Sequence, residues 1–239
     1  MTEQLVTLQP GVKIKAAGGL GTLGMLVYKY TQTGGPRSPK VVDYSEVYLL
    51  TCWHVLYRDG RRRSGQVTLP DHNDMEIATY SHSNDTAIEG LDAAIAKIKS
   101  DIPVSLTNRV LGSRKVIKKT GRALKSMKLR KRGAATQNTA CLVNETDRSF
   151  GNIELALTLK HRQQNGGSSD FCAPGDSGAI WWETARGRAV GLHARGGLAN
   201  EEAAAAVLKE IMKRLKLTAY EPTLLEAPSS VTRTSAEAH

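Results

Sequence analysis

The chain has 239 residues, of which 40% are hydrophobic and 23% are charged, as in soluble globular proteins. This length suits one large domain or two domains of about 100 residues each. No apolar run reaches the roughly 18 residues of a membrane span, and the first residues lack the pattern of a secretory signal. We therefore exclude a membrane protein, a collagen-like chain and a disordered chain, and we expect no membrane partner.

Three cysteines, Cys52, Cys141 and Cys172, occur without the spacing of metal ligands. Their odd number argues against a disulfide scaffold and favours a reducing compartment. We therefore expect buried thiols, a cytoplasmic location, and neither a metal nor another cofactor.

Short runs of β-branched and apolar residues recur along the chain, separated by Gly, Pro, Asn and Asp. About twelve such runs divide near residue 105 into two sets of six, without helices between them. This even spacing predicts an all-β protein built from two six-stranded antiparallel β-barrels. The predicted domains are residues 10–105 and residues 106–199.

One long helix is predicted over residues 200–216. Asn200 is a favourable N-cap, and the acids that follow it suit the positive end of the helix dipole. Val207, Ile211 and Leu215 recur at helical spacing. The small, polar residues of segment 217–239 predict a flexible tail.

The formal net charge of +10 has a local origin, because segment 109–132 contains eleven Lys or Arg residues and no acid. Three interpretations remain open: a solvated face, a contact for an acidic protein, or a contact for nucleic-acid phosphates. The segment lacks aromatic residues, so stacking on bases is not expected. Its end, Lys128 to Arg132, also resembles a nuclear import signal, which makes a nuclear location the alternative.

The strongest local motif is Gly175-Asp176-Ser177-Gly178, followed by an apolar strand. A serine between glycines suits a tight turn that exposes its hydroxyl, and the N–H groups of Gly175 and Ser177 are the donors that an oxyanion hole needs. An ordinary β-turn is the alternative.

Two further motifs carry ionisable side chains at the ends of apolar strands. His54 ends the run Leu49-Leu50-Thr51-Cys52-Trp53-His54, where an imidazole can act as a base or simply be a structural residue. Asp92 opens the run Asp92-Ala93-Ala94-Ile95, where its carboxylate can orient an imidazole or cap the strand. Asp85 and Asp101 compete with Asp92 for that role.

Together, the order His54, Asp92, Ser177 on an all-β background resembles the trypsin-like serine peptidase family. The resemblance covers roughly residues 10–216 and includes Val190-Gly191-Leu192-His193-Ala194-Arg195-Gly196-Gly197, which is similar to the strand that lines the substrate in that family. It implies a chymotrypsin-like fold and an endopeptidase that acts on protein substrates.

By this resemblance, Ser177 is the nucleophile, His54 the general base and Asp92 the residue that orients it. The N–H groups of Gly175 and Ser177 form the oxyanion hole. Two departures separate this chain from the digestive enzymes. Val55 stands where those enzymes have a disulfide cysteine, and no N-terminus suited to pairing with Asp176 is recognisable, so Asp176 needs another partner.

In the digestive enzymes of this family, an acid about six residues before the serine selects Lys or Arg, so the resemblance implies that Phe171 lies in the substrate pocket, with Asp170 beside it. The run Gly191-Leu192-His193 resembles sequences in peptidases that recognise Glu or Gln before the scissile bond. We therefore expect His193 to read such a side chain through a hydrogen bond, with support from Arg195. Ala194 and Gly196 complete the expected substrate-binding residues. A purely structural role for His193 is the alternative.

Two other functions compete with a serine endopeptidase. One is a catalytically silent trypsin-like fold that binds a partner through segment 109–132, and the other is a nucleic-acid-binding protein. The presence of all three residues His54, Asp92 and Ser177 argues against a silent fold. The oligomeric state is not predicted from the sequence.

Overall fold

The computed structural model describes residues 5–35, 37–57, 64–151, 153–161, 172–198 and 202–222. Within these ranges the chain forms seventeen β-strands and two short α-helices, so the predicted all-β fold is confirmed. None of the helices in the described part of the chain has the length and apolarity that crossing a membrane requires.

The first unit is a curled antiparallel sheet. Its region contains β1 (Val6–Leu8), β2 (Lys13–Ala16), β3 (Gly19–Thr22), β4 (Met25–Thr31), β5 (Val41–Thr51), α1 (Trp53–Leu56), β6 (Ser64–Leu69), β7 (Met75–Ser81), β8 (Ala87–Ile88), β9 (Ala93–Ile98) and β10 (Val104–Leu106). Single 3-10 turns cover Pro70–His72 and Glu89–Leu91. The sheet follows the order β4–β5–β9–β7–β6–β2–β3, and β8 adds to β9. Strands β1 and β10 form a separate parallel pair.

The second unit is a closed six-stranded antiparallel barrel. Its strands are β11 (Lys128–Gly133), β12 (Gln137–Phe150), β13 (Ile153–His161), β14 (Ile180–Glu183), β15 (Ala189–Leu198) and β16 (Glu202–Val207). They close in the order β11–β12–β13–β16–β15–β14. The two-barrel architecture with a C-terminal helix is thus confirmed, although the first sheet gains strands that the sequence did not reveal and remains open.

Adjacent residues of the barrel strands face two different cores. Trp181 packs inside the barrel, whereas its neighbour Trp182 belongs to the larger core shared with the first unit. The same division separates Leu157 from Ala156 on β13. These strands are covered on both faces, which explains why their sequences are apolar at successive positions.

The predicted helix over 200–216 is wrong in its first part. Residues Glu202–Val207 form β16, which pairs with β13 on one side and β15 on the other, and only Leu208–Arg214 are helical as α2. Ala203 and Ala205 face the barrel interior, while Ala204 and Ala206 face the shared core. Closing the barrel therefore outweighs the helix propensity of alanine. The predicted N-cap Asn200 lies outside the described residues.

The chain after the helix returns to the first unit, so the predicted tail begins as ordered structure. β17 (Leu217–Ala219) pairs with β4 and is the ninth strand of the first sheet. Asn108, which is 1% exposed, donates from its amide to the carbonyls of Leu26 and Tyr220 and accepts from the Leu26 N–H, at 2.8–2.9 Å. One buried amide thus ties the connection between the units to β4 and the C-terminal strand. Residues 223–239 lie outside the described residues.

Candidate active site

The imidazole of His54 is held by a buried carboxylate. Asp92 ends the 3-10 turn Glu89–Leu91 with a φ of 46°, a left-handed conformation that Asp tolerates better than most residues. Its Oδ2 lies 2.8 Å from His54 Nδ1, and its Oδ1 accepts the backbone N–H of His54 at 3.0 Å. The Asp92 side chain is 5% exposed, whereas that of His54 is 43% exposed.

This geometry settles which acid meets the imidazole. Asp85 and Asp101 are both exposed, and neither contacts His54 in the described part of the chain. Because a carboxylate accepts hydrogen bonds, Asp92 favours the tautomer with its proton on Nδ1. The lone pair on Nε2 is then free to accept a proton from the open side of the ring.

The turn that carries Ser177 is anchored to both units. Thr22, in the first unit, donates from its backbone N–H to the Ser177 carbonyl and from its hydroxyl to the Gly175 carbonyl, each at 2.8 Å. Gly178 donates its N–H to the carbonyl of His193 on β15, also at 2.8 Å. Gly175 and Gly178 have φ values of 104° and 95°, so both positions require glycine.

The same junction brings the His54 segment against the serine turn. A side chain on Gly178 would collide with the hydroxyl of Thr51, and the Cys52 thiol donates to the His193 carbonyl at 3.1 Å. That carbonyl therefore receives one donor from each unit. Ser177 is half-buried, and among the described contacts its hydroxyl makes no hydrogen bond to His54. Such bonds often shorten only when a substrate binds.

Asp176, which precedes the serine, has an internal partner that sequence reasoning did not identify. Lys131 Nζ lies 2.6 Å from Asp176 Oδ2, and both side chains are 0% exposed. The Thr136 hydroxyl and the N–H groups of Ala135 and Thr136 also donate to this carboxylate. An ion pair from β11 thus occupies the position that, in the digestive enzymes, the resemblance assigns to a processed N-terminus.

The surroundings of Asp176 favour its charged form. Burial alone would raise the pKa of this carboxyl, but the Lys131 charge and the hydrogen bonds from Lys131 and Thr136 together hold its pKa below the ordinary value of 3.8. Burial also lowers the pKa of Lys131, and the Asp176 charge opposes that effect. The five donors around the carboxylate indicate that the pair is ionised.

His193 is buried beside this ion pair. It is 2% exposed, and its Nδ1 accepts a hydrogen bond from Trp181 Nε1 at 3.4 Å. Burial, followed by the nearby Lys131 charge, lowers the pKa of His193 to about 3, so the imidazole is neutral at physiological pH. Accepting at Nδ1 leaves the ring proton on Nε2 as a hydrogen-bond donor.

The other predicted substrate-binding residues lie along the same strand. Ala194 is buried, whereas Arg195 and Gly196 are exposed. A side chain on Gly196 would collide with the sulfur of Cys172 and come within 3.7 Å of the His193 ring, so these three residues are close neighbours. The predicted pocket residues Phe171 and Asp170 lie outside the described residues.

A scan against family models and a search of curated proteins found no match. Solved structures, in contrast, match nearly the whole fold. A glutamic-acid-specific serine protease, described as using a histidine triad in substrate binding, aligns with a TM-score of 0.63 and 15% identity over 89% of this chain and 100% of its own. Nocardiopsis protease aligns with a TM-score of 0.64 and 15% identity over 90% and 100%. Cellulomonas bogoriensis chymotrypsin aligns with a TM-score of 0.60 and 15% identity over 89% and 99%.

The chain has the chymotrypsin-like fold. The resemblance to trypsin-like peptidases drawn from the sequence motifs is therefore confirmed at the level of the fold. Sequence reasoning missed Lys131, which it grouped with the exposed cations. The signal was present in Lys128-Leu129-Arg130-Lys131, because in a strand Lys131 shares the face of the buried Leu129. Cys52 was expected to be buried but was given no role in the site.

We predict that Lys131→Met destabilises the protein by about 3–5 kcal/mol, because it leaves a buried carboxylate without its counter-ion. Lys128→Met, on the exposed face of the same strand, is the matched control and should change stability by less than about 0.5 kcal/mol. Urea unfolding monitored by tryptophan fluorescence measures both variants.

The difference in the free energy of unfolding between Lys131→Met and the wild type should become smaller as the pH falls. In the variant, protonation of Asp176 removes the unpaired buried charge. In the wild type, the ion pair contributes stability that is present above pH 3.8 and is lost as the pH falls through the lowered pKa of Asp176. If Lys131→Met loses no more stability than Lys128→Met at pH 7, this account of the ion pair is contradicted.

Proposed function

We propose that this protein is a serine endopeptidase in which Ser177, His54 and Asp92 form the catalytic unit. The observation that carries the proposal is the buried Asp92 carboxylate, which holds the His54 imidazole at the junction where the glycine-flanked Ser177 turn is anchored. The TM-scores of 0.63 and 0.64 to solved serine proteases, at 15% identity, support the fold, and the reaction is inferred from these side chains.

In the proposed reaction, the Ser177 hydroxyl attacks the carbonyl carbon of the scissile peptide bond. His54 Nε2 takes the hydroxyl proton and then gives it to the amine that leaves, while Asp92 stabilises the imidazolium formed between these steps. Water then attacks the acyl-enzyme, with His54 again acting as the base. The acid is released and Ser177 regains its proton.

The backbone around Ser177 supports the proposed oxyanion hole. The N–H groups of Gly175 and Ser177 donate to no group among the described residues, whereas the carbonyls of the same two residues both accept hydrogen bonds from Thr22. Donors of this kind can bind the oxyanion of the tetrahedral intermediate. We assign the Lys131–Asp176 ion pair the task of holding the turn in this conformation without N-terminal processing.

We predict that a fluorophosphonate probe labels the wild type, that Ser177→Ala abolishes labelling, and that the exposed Ser64→Ala leaves it unchanged. Asp92→Asn should lower peptide turnover by about 10⁴-fold, because the amide no longer favours the required His54 tautomer. Asp85→Asn and Asp101→Asn are the matched controls. Equal labelling of the wild type and Ser177→Ala would refute the endopeptidase proposal.

For specificity, we propose that His193 reads a Gln or Glu side chain before the scissile bond. A neutral imidazole with its proton on Nε2 can donate to an amide or carboxylate oxygen, and its ring lies close to the exposed backbone of Gly196. One of the structural neighbours is described as glutamic-acid-specific, which supports the same class of substrate.

We predict that cleavage of a peptide library shows Gln or Glu before the scissile bond, and that His193→Leu loses this preference. Because the pKa of His193 is about 3, protonation of this residue should not change the preference between pH 8 and pH 5. Melting temperatures of both proteins establish that the variant is folded. A dominant preference for Lys, Arg or an aromatic residue would rule out this reading.

We further propose that the protease binds nucleic-acid phosphates at the end of the barrel away from Ser177. Eight cations of segment 109–132 are exposed: Arg109, Arg114, Lys118, Lys119, Arg122, Lys125, Lys128 and Arg130. Among the described residues only Arg122 has an acidic partner, Asp147 at 3.9 Å. Thr120 pairs with Ala189 at the start of β15, whereas His193, near Ser177, lies further along that strand.

The composition of this surface favours phosphate over an acidic protein. Leu124 is the one large apolar side chain of segment 109–132 that is exposed, whereas protein interfaces are usually built around several apolar or aromatic anchors. Phosphate contacts need only cations, and they make the affinity strongly dependent on salt.

We predict that the Ser177→Ala protein binds a single-stranded oligonucleotide with an affinity that falls with salt concentration. The triple variant Lys118→Glu, Lys119→Glu, Arg122→Glu should reduce the slope of log K against log salt concentration by about 2, because each lost phosphate contact removes roughly 0.7 from it. Fluorescence anisotropy measures the binding. An unchanged slope would contradict the assignment, and binding to polyglutamate but not to the oligonucleotide would indicate an acidic protein instead.

A further inference from the structure

Cys52 is a nucleophilic side chain within the candidate active site that the proposed reaction does not use. It lies directly between β5 and α1, two residues before His54, and it is 0% exposed. Its sulfur donates to the His193 carbonyl.

The thiol completes a compact set of donor atoms. The sulfur of Cys52, an imidazole nitrogen of His54 and a carboxylate oxygen of Asp92 all lie within 4.8 Å of one another. Thiolate, imidazole and carboxylate are the three side-chain ligands of Zn²⁺, at metal–ligand distances of about 2.0–2.3 Å. Tetrahedral ligands at those distances are roughly 3.5 Å apart, so a contraction of about 1 Å would form the site.

The surroundings determine which side of the cluster is open. Cys52 and Asp92 are buried, whereas 43% of the His54 side chain is exposed. A cation can therefore approach past the imidazole and keep water as its fourth ligand on the solvent side. The sulfur ligand favours thiophilic cations such as Zn²⁺ and Cd²⁺ over Mg²⁺ and Ca²⁺, which prefer oxygen ligands.

We propose that Cys52, His54 and Asp92 bind one thiophilic divalent cation, and that its binding switches the protease off. The consequence for activity rests on the proposed function, whereas the binding itself does not. In the binding step the Cys52 thiol releases its proton to water and the thiolate binds the cation. The Nδ1 proton of His54 moves to Nε2 through solvent, and Nδ1 becomes a ligand.

This rearrangement removes the general base. With its proton on Nε2, the imidazole has no lone pair on the side of Ser177 and cannot take the hydroxyl proton. Asp92 simultaneously exchanges its hydrogen bond to Nδ1 for the cation. A chelator that removes the cation reverses each step, so the inhibition is expected to be reversible.

Cd²⁺ titration of the Ser177→Ala protein tests binding without any need for activity, because thiolate–Cd²⁺ bonds have their own ultraviolet absorption. We expect one equivalent to bind with this signal, to be retained with the additional change Cys141→Ala, which also removes a buried thiol, and to be lost with Cys52→Ala. Cys52→Ser keeps the size of the side chain and is the second variant if the alanine protein does not fold. A signal that persists in a folded Cys52 variant, or no signal in the parent, would overturn the proposal.

Fluorophosphonate labelling of proteins that retain Ser177 tests the consequence. Zn²⁺ should slow labelling of the wild type and of Cys141→Ala, and a chelator should restore it. Each protein is compared with its own labelling rate without metal. Cys52→Ala should require at least about tenfold more Zn²⁺ for the same inhibition, because even the loss of a residue that only orients a ligand costs a metal site about 10–100-fold in affinity. Equal sensitivity of Cys52→Ala and the wild type would refute the switch. If Cd²⁺ binding depends on Cys52 but the fluorophosphonate probe never labels the wild type, the metal-site proposal stands and the endopeptidase proposal is rejected.

Discussion

The buried ion pair between Lys131 and Asp176 is the constraint on which the candidate site depends. Two fully buried charges lie 2.6 Å apart at the base of the turn that carries Ser177. Removing either partner would leave an uncompensated charge in the interior, which is far more costly than losing a surface pair. Because Asp176 is adjacent to the serine, the carboxylate that satisfies Lys131 also restricts the backbone on both sides. The conformation of this turn is therefore fixed by contacts within the folded core.

The second organising feature is the carbonyl of His193, which accepts hydrogen bonds from donors in both units. The Cys52 thiol comes from the segment before His54, and the Gly178 N–H comes from the serine turn. Thr22 adds two hydrogen bonds from the first unit to the same turn. The candidate site is therefore built at a junction where neither unit supplies all the groups. Burial at this junction also explains why His193 stays neutral and Cys52 stays protonated, since burial disfavours the charged form of each.

Several elements could be read from the sequence because their signals are local. The glycines around Ser177 indicated a turn, and two glycines there do adopt the left-handed conformation. The apolar run after Asp92 indicated a strand, and Asp92 does lie directly before β9. The run before His54 also forms a strand, but that strand ends at Thr51 and His54 lies in helix α1. The segment 202–207 shows the opposite case, because four consecutive alanines suit either a helix or a strand covered on both faces. Only the neighbouring strands β13 and β15 decided between them.

By itself the sequence determined the all-β class, the division into two units and the positions of His54, Asp92 and Ser177, because strand periodicity and turn chemistry act over a few residues. The tertiary structure decided that Lys131 is the partner of Asp176, that Asp92 rather than Asp85 or Asp101 meets the imidazole, and that Cys52 joins the same cluster. These outcomes depend on pairs of residues 38 to 45 positions apart in the chain. No local pattern specifies such contacts, since strand pairing and barrel closure bring them together.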